Sequence, residues 1–465
     1  AGAADAAQVV VSLPLPATTS VAPNAVTLPD GSHLPAQVVP PGLLDAEKGS
    51  RLAFVLPRVK AGETVAVTPT MLNYMQAPPR FAFAEEPGLV TLTFAGRPVL
   101  QYFSPKRDAK DHYYTFKPFH HVYDPSGKVL LTNGSAKTAK DGTFPHHRGL
   151  FFAWNKITYG EKKTADVWHG TNNVYAEHQK MISTAAGEVL GRHRAAVTWN
   201  GPDGAAFATE ERELTAYATT GGTLLDFASV VRTELPSVKL DGDPQHAGFH
   251  FRANMEVALK TAKETYYLRP DGKGKAGETR NWDAKGKDAK TVDLPWDACS
   301  FVVGGKRYTV LRVGHPSNPG EARGSERDYG RFGDYFEYEI TPAAPLRVRY
   351  RVWVQEGENK IANLAGPLKF NGTGDGAPLR NQATSGPEPT AFRGTLEVTS
   401  SLGGVALLNV LGIEEYLYGV VTKELPDLFG QEPLKAQAVA ARTYTLARRL
   451  TGAHKAQNAD VCDTQ

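Results

Sequence analysis

The sequence predicts a mainly β protein: an antiparallel β-sandwich with a small N-terminal β unit and a C-terminal α+β segment. Short runs of alternating or β-branched residues recur as far as about residue 360. Clusters of Gly, Pro, Asn and Asp separate the runs, and 45 glycines and 32 prolines fit many turns. No helical period longer than three turns occurs in this part. We therefore expect residues 81–356 to form a single sandwich without a long helix.

Ten of these runs have the composition and length of strands. In chain order they are Val9–Leu13, Arg51–Leu56, Thr64–Thr68, Leu89–Phe94, Val129–Leu131, Gly149–Trp154, Ala195–Trp199, Leu224–Thr233, Tyr308–Val313 and Leu346–Val354.

Changes of composition divide the chain into four parts. Residues 1–80 read as a small β domain that ends at a hinge, Ala77–Arg80, where two prolines hold the backbone extended. Residues 81–356 are the β-sandwich, and the Gly-, Asn- and Pro-rich residues 357–390 are a linker. Residues 391–465 combine two strands, Thr395–Val398 and Val405–Val410, with one helix. That helix is Gln431–Leu450, with Pro433 in its first turn and Gly452 after its end.

Length and charge exclude some classes of protein. A chain of 465 residues is long enough for two to four domains. Lys plus Arg is 52 and Asp plus Glu is 49, so the net charge is 52 − 49 = +3, which argues against a nucleic acid as the main partner. The longest mostly apolar run, Leu402–Ile413, is too short for a transmembrane segment.

The N-terminus and the cysteines bear on the compartment. The chain starts Ala-Gly-Ala-Ala-Asp without Met, which resembles a mature end after signal-peptide cleavage, so we expect a secreted or periplasmic protein of the cell envelope. The alternative is a chain that was trimmed. Cys299 and Cys462 are too few for a disulfide framework and say little about compartment.

The C-terminal segment carries an ordered series of motifs. Leu408–Val421 is followed by Glu424-Leu425-Pro426 and then by Leu434–Tyr444. These residues resemble the stage II sporulation protein D family, SpoIID/LytB, over about 75 residues, less than the family's full domain. The resemblance implies a lytic transglycosylase that acts on peptidoglycan.

In that family the Glu of the Val-Val-x-x-Glu-(Leu/Met)-Pro motif is the catalytic acid, so the resemblance gives Glu424 this role. The alternative is a solvated charge near a helix end. A general acid needs a partly buried setting to hold its proton, and neighbouring apolar residues can provide it. Some members also hold zinc near the truncated motif, where Cys462 matches one position and His454 lies close. Two ligands are fewer than the four of a structural zinc site.

Four stretches of the sandwich combine aromatic residues with His, Arg or both: Pro145–Trp154, Asp166–His169, Gly248–Ala253 and Tyr329–Phe336. They resemble a family of mostly bacterial secreted proteins named PmoA-like. The name comes from a methane-oxidising membrane subunit, whose transmembrane helices this sequence lacks. The resemblance implies a carbohydrate-related sandwich of the galactose-mutarotase type.

Strict alternation predicts a polar face on this sandwich. In Phe249–Glu256 the aromatic residues point one way, while His250 and Arg252 point the other; Tyr335–Ile340 alternates likewise, with Glu337 on the polar face. The polar face either lines a groove or is an ordinary solvated surface. The residues predicted to bind a ligand are His146, His147, Arg148, Trp154, His169, His250, Arg252 and Glu337, with Trp154 and Trp168 placed to stack on sugar rings. We expect His146, Arg148, His169, His250 and Arg252 to converge on one groove.

The eleven histidines from His112 to His315 are enough for a metal site, but the one pair with suitable spacing is His246 and His250. Sugar binding fits the same residues without a metal, and the cofactor, the glycan and the oligomeric state stay open.

Two functions of different class compete. The first is a carbohydrate-active enzyme with two unlike modules. The second is a non-catalytic envelope or glycan-binding protein with an incomplete, inactive transglycosylase segment. A further alternative is that the join at Gly357–Pro389 is artificial.

Overall fold

The computed structural model describes most of the chain. The described residues are 6–15, 22–45, 48–59, 64–72, 80–134, 144, 146–243, 245–282, 289–358, 368–371, 379–381, 390–392, 395–401, 404–410, 413–424 and 430–451. The chain divides into two compact units. One contains residues 8–57 and 65–359, and the other contains residues 360–465 with the short segments 1–7 and 58–64.

Five strands form an N-terminal antiparallel sheet in the order β1-β4-β3-β2-β5. They are β1 (Ala6–Pro14), β2 (Ala25–Thr27), β3 (His33–Val39), β4 (Arg51–Val59) and β5 (Thr68–Thr70). The side chain of Gln37, in β3, accepts hydrogen bonds from the backbone N–H groups of Val189 and Leu190 at 3.1 and 2.9 Å. This sheet is therefore attached to the sandwich by specific polar contacts.

The sandwich consists of two nine-stranded sheets. Sheet A contains β6 (Phe81–Glu86), β7 (Leu89–Phe94), β8 (Arg97–Phe103), β9 (Phe119–Val122), β10 (Leu150–Trp154), β18 (Ala247–Arg252), β21 (Arg280–Asn281), β24 (Arg323–Arg327) and β25 (Arg331–Tyr335). Sheet B contains β13 (Tyr175–Ala186), β14 (Leu190–Asn200), β15 (Ala206–Tyr217), β16 (Thr223–Arg232), β19 (Tyr266–Arg269), β20 (Gly272–Lys273), β22 (Trp296–Val303), β23 (Lys306–Gly314) and β27 (Leu346–Glu356). The strand order is β21-β24-β25-β18-β10-β9-β8-β7-β6 in sheet A and β13-β14-β15-β16-β27-β23-β22-β19-β20 in sheet B.

Smaller elements complete this unit. A four-stranded sheet, in the order β12-β11-β17-β26, contains β11 (Ile157–Tyr159), β12 (Lys163–Ala165), β17 (Val238–Leu240) and β26 (Tyr338–Ile340). The helical segments are short: α1 (His112–Thr115), a π turn (Val257–Thr261) and the 3-10 turns Thr171–Asn173, Ala262–Glu264 and Ala289–Thr291.

The core lies between sheets A and B. The Phe249 ring in β18 stacks on the Tyr350 ring in β27 with centroids 4.5 Å apart, so side chains of the two inner faces interlock. Polar pairs also cross this interface. The Nε2 atoms of His120 in β9 and His193 in β14 are 2.9 Å apart, and Arg312 in β23 forms an ion pair with Asp334 in β25. Each of these groups has a partner at one atom, which lowers the cost of its burial, while Nδ1 of both histidines has none among the described residues.

The predicted fold class is confirmed. Among the described residues of 81–356, the longest run of helical turns is residues 255–264, ten residues, and all strand pairs are antiparallel. Leu89–Phe94 matches its predicted bounds. Val129–Leu131 was predicted as a strand, but it makes an isolated bridge between Leu130 and Tyr123 instead.

The second unit is described by itself. It contains a three-stranded sheet, in the order β28-β31-β32, and a hairpin of two further strands. Its strands are β28 (Leu368–Asn371), β29 (Leu379–Asn381), β30 (Thr390–Phe392), β31 (Thr395–Ser401) and β32 (Gly404–Val410), and its helices are α2 (Ile413–Glu424) and α3 (Gln431–Thr451). Arg442 of α3 donates to Glu414 of α2 at 2.6 Å. No helix in the described part of the chain is long and apolar enough to span a membrane.

Candidate functional site

The candidate site lies on the face of sheet A that points away from the core. In β10 and β18, Phe151 and His250 stand opposite each other on this face, whereas Phe249 on the next position packs in the core. Trp168, from the loop after β12, covers the pair with its ring 4.7 Å from Phe151 and 5.0 Å from His250. A second layer of aromatic and histidine side chains is thereby built on the sheet.

Three histidines from separate segments meet at the edge of this layer. The His146 ring, before β10, is 4.6 Å from the His169 ring, which follows β12. The His169 ring is in turn 5.0 Å from the His246 ring, directly before β18. The side chains of His169 and His246 are 28% and 31% exposed, so the group is open to solvent. We call these three residues the histidine cluster.

Two members of the cluster are fixed by aspartates three residues earlier. His169 Nδ1 is 2.8 Å from Asp166 Oδ2, and His246 Nδ1 is 2.8 Å from Asp243 Oδ1. Burial opposes the charge of Asp243, but hydrogen bonds from His246, Gln245 and Asn155 outweigh it and lower the pKa of this carboxyl. Since a carboxylate only accepts, each imidazole donates through Nδ1 and leaves Nε2 for another partner.

His146 is half-buried and the adjacent His147 is fully buried, and ring nitrogens of both are buried without hydrogen-bond partners among the described residues. His146 Nε2 and both ring nitrogens of His147 have none among the described residues. Burial, followed by the charge of Lys117, lowers the pKa of His146 to about 2, and burial with Arg331 lowers that of His147 well below 6.5. Both rings are therefore neutral near pH 7. Buried polar atoms of this kind usually mark a water, an ion or a functional group.

His250 and Arg252 lie beneath the cluster and are fully buried. His250 Nδ1 accepts from Arg331 at 3.1 Å, and Arg252 donates to the carbonyl oxygen of Tyr329. Of the two alternatives for this polar face, the ordinary solvated surface does not apply to β18, because both faces of the strand are buried. These side chains support the site from below.

Other predicted ligand residues point elsewhere. Arg148 donates to the carbonyl oxygen of Tyr114 at 2.9 Å, away from the cluster. Trp154 is fully buried on the core face and donates to the carbonyl oxygen of Phe336 at 3.2 Å. Glu337 is exposed and pairs with Arg323 at 2.7 Å. Of the five residues expected on one groove, His146 and His169 are neighbours, His250 and Arg252 are fully buried, and Arg148 turns away from the cluster. Their convergence on a bound ligand stays a prediction.

The exposed aromatic ring at the site is Phe144. It is 43% exposed, whereas Trp168, like Trp154, is fully buried and has no free face for a sugar. The Phe144 ring is 6.3 Å from His146 and 5.0 Å from Tyr329. Its φ of 54° is uncommon for a bulky residue, and such conformations cluster at functional sites.

A buried lysine, Lys117, lies beneath the aromatic layer of the site. Lys117 is 2% exposed, donates to the carbonyl oxygen of Trp168 at 2.6 Å and lies 4.7 Å from the Phe151 ring centre. Burial and the charge of Arg148 lower its pKa well below 10.5. Its place under Trp168 makes it part of the support for the open histidines.

Sequence reasoning missed Asp243, His246 as a partner of His169, Lys117 and Phe144. A signal was present for the first two, because Asp166-Val167-Trp168-His169 and Asp243-Pro244-Gln245-His246 repeat the pattern Asp-x-x-His. Nothing in the sequence marked Lys117 or Phe144, since their roles depend on which strands become neighbours.

The transglycosylase-like segment is described in part. Glu424 is the last residue of α2, and its side chain lies outside the described residues, as do Leu425 and Pro426. Cys462 and His454 also lie outside them, so the predicted zinc ligands stay predictions. Within the described ranges, no three His, Cys, Asp or Glu side chains already surround a point as metal ligands do.

Comparison with known proteins gives two family matches. Residues 89–368 match a family of unknown function, DUF6807, and residues 401–465 match the stage II sporulation protein family. The second match supports the partial SpoIID domain. The first covers the stretch that resembles the PmoA-like family, and that finer resemblance stays a prediction. No curated protein matches the chain.

Solved structures with a similar fold include three carbohydrate-related proteins. An alpha-mannosidase from Enterococcus faecalis V583 has a TM-score of 0.36 at 10% identity over 77% of this chain and 42% of its own. The galactosidase domain of alpha-galactosidase-sucrose kinase has 0.34 at 8% identity, covering 59% and 42%. A galactose mutarotase-like protein from Clostridium acetobutylicum has 0.33 at 10% identity, covering 60% and 99%. The chain thus spans about two fifths of the length of the first two proteins.

Proposed function

The chain belongs to the family of unknown function DUF6807, and we propose from its site that it is a carbohydrate-active protein. In this proposal the sandwich of residues 81–356 binds or processes a sugar at the histidine cluster. The observation that carries it is a series of neighbouring rings: the exposed Phe144 lies 6.3 Å from His146, which lies 4.6 Å from His169, an open imidazole fixed by a carboxylate.

The chemistry of the site suits a sugar. A pyranose ring offers an apolar face of C–H groups and a rim of hydroxyl groups. Phe144 supplies an apolar surface that is already partly free of protein contacts. The Nε2 atoms of His169 and His246, which have no hydrogen-bond partner in the described part of the chain, can exchange hydrogen bonds with hydroxyls, and Asp166 and Asp243 keep both rings in place. The orphan nitrogen of His146 gains a partner when a hydroxyl binds.

Sugar binding can be tested with the full chain. Calorimetry against neutral monosaccharides, uronic acids and soluble peptidoglycan fragments identifies the class that binds. Phe144→Ala and His169→Gln are expected to weaken binding of that class at least tenfold. His315→Gln serves as a matched control, because this histidine contacts Ser317 and lies outside the cluster. A sugar affinity that is unchanged in both Phe144→Ala and His169→Gln would contradict the proposal.

For the C-terminal segment we propose a peptidoglycan-directed role, supported by the match of residues 401–465 to the sporulation family. Glu424 is then the general acid that protonates the glycosidic oxygen. Glu424→Gln keeps the shape and loses the proton, which typically costs a hundred- to ten-thousand-fold in rate. Mass spectrometry of anhydro-muropeptides is the measurement. Release that survives Glu424→Gln would place the chemistry elsewhere.

Envelope or extracellular localisation follows from the same proposal, since a peptidoglycan substrate lies outside the cytoplasmic membrane.

The alternative function is that of a non-catalytic glycan-binding protein. The buried side chains that hold the histidine cluster in place are compatible with an enzyme and with a binding protein. A turnover assay distinguishes the two functions: binding without any chemical change of the sugar or of peptidoglycan favours the binding protein.

A further inference from the structure

We infer that the histidine cluster is a binding site for a divalent transition-metal ion, with His146, His169 and His246 as its protein ligands. Imidazole nitrogens suit Zn²⁺ and its first-row neighbours. This deepens the proposed function, because the ion would lie beside Phe144, but metal binding is measured without any sugar, so the two can fail separately.

The ring spacing supports a shared ion. Two imidazoles that bind one ion at about 2.1 Å have ring centres roughly 5 Å apart when the bonds meet at a tetrahedral angle. The separations here are 4.6 Å for His146 and His169 and 5.0 Å for His169 and His246. Two of the three ring pairs therefore have the spacing of metal ligands before any ion binds.

The aspartates support the same reading. Histidines that bind metals almost always donate their other ring N–H to a carboxylate, a carbonyl oxygen or water, which fixes the ring and raises its basicity. Asp166 and Asp243 accept from His169 and His246 in this way, both at 2.8 Å. Two carboxylates also offset the charge of a bound cation close to Lys117 and Arg331.

One ring must turn for the set to close, since no three side chains in the described ranges yet surround a point. His146 is free to do so, because its side chain forms no hydrogen bond with a described residue and its Nε2 atom is buried without a partner. Reorientation therefore breaks no hydrogen bond to the described residues and satisfies an orphan nitrogen. The exposure of His169 and His246 leaves a position for water or substrate, as in catalytic three-ligand sites.

The experiment uses the full chain after treatment with EDTA and dialysis. Zn²⁺ and Co²⁺ are titrated by calorimetry, bound metal is counted by elemental analysis, and the Co²⁺ absorption spectrum reports the ligands. We expect about one ion per chain, with at least tenfold weaker binding in His169→Gln and His246→Gln. Asp166→Asn should weaken binding about 10- to 100-fold while leaving all three ligands present.

Two further variants test whether the ion binds at the histidine cluster or elsewhere in the chain. His315→Gln is the matched control and should bind as the wild type does. Cys462→Ser tests the C-terminal cysteine: the ion and its spectrum should be unchanged, without the thiolate-to-cobalt band of a cysteine ligand. Thermal unfolding in EDTA confirms that each variant folds. The inference is overturned by absence of stoichiometric binding, by binding that survives His169→Gln and His246→Gln, or by binding lost in Cys462→Ser.

Discussion

Replacement of His193 by Gln should make the sandwich less sensitive to acid. His193 is buried between the two sheets, with its Nε2 2.9 Å from Nε2 of His120. Burial, and then the charge of Arg212, lowers the pKa of His193 from 6.5 to about 3. Between pH 6.5 and about 3, His193 is protonated in the unfolded chain but neutral in the folded chain. The free energy of unfolding therefore falls as the pH falls below about 6.5.

The size of this loss of unfolding free energy follows from the pKa of His193 in the unfolded chain. At pH 5 the unfolded histidine is about 1.5 pH units below its pKa, which corresponds to about 2 kcal/mol lost relative to pH 7.5. Because pH 5 lies well above the folded pKa, the figure depends little on the folded value. In His193→Gln this contribution vanishes, and the amide can still hydrogen-bond His120.

Urea unfolding at pH 7.5, 6 and 5, followed by tryptophan fluorescence, measures the change. The wild type should lose about 2 kcal/mol more than His193→Gln between pH 7.5 and 5. Any constant cost of the substitution cancels, since each protein is compared with itself. His33→Gln, at an exposed histidine, should behave as the wild type does. Equal losses in the wild type and His193→Gln would refute the argument that a neutral buried histidine causes the acid sensitivity.

Three further outcomes can be measured by chemical or thermal unfolding. Arg312→Leu should cost about 3–5 kcal/mol, because it leaves Asp297, which is fully buried, without its cation. Gly248→Ala should prevent folding, since φ is +94° and the added Cβ would overlap a carbonyl oxygen of β25; Gly96→Ala, with open space around it, should cost about 1 kcal/mol. Trp154→Ala should cost about 3–5 kcal/mol through the cavity it leaves, and an unchanged stability would show that this ring is not part of the core.

Local patterns predicted much of the fold. β-branched runs located strands such as Leu89–Phe94, and Pro and Gly bounded the helix Gln431–Thr451 within one residue of the prediction. These signals are local, because strand propensity and helix capping depend on neighbours in the chain.

The site was predicted less completely because its form depends on contacts between distant segments. Alternation placed His250 on a polar face that either lined a groove or met solvent, because it separates the two faces of a strand but does not reveal a second layer that covers one of them. Trp168 supplies that layer from a loop 82 residues away (250 − 168). A family resemblance predicted that His146 and His169 lie near each other. Their ring separation of 4.6 Å could be known only from the folded structure.

The position of β27 has a consequence for synthesis of the chain. This strand is the last of sheet B in sequence, yet it lies in the middle of the sheet, between β16 and β23. A nascent chain that has not reached residue 346 therefore holds two half-sheets, each with an unpaired edge where β27 belongs. Such edges are templates for pairing with other chains, and non-local pairing closes them slowly. Aggregation during translation should thus end abruptly once residue 356 has left the ribosome.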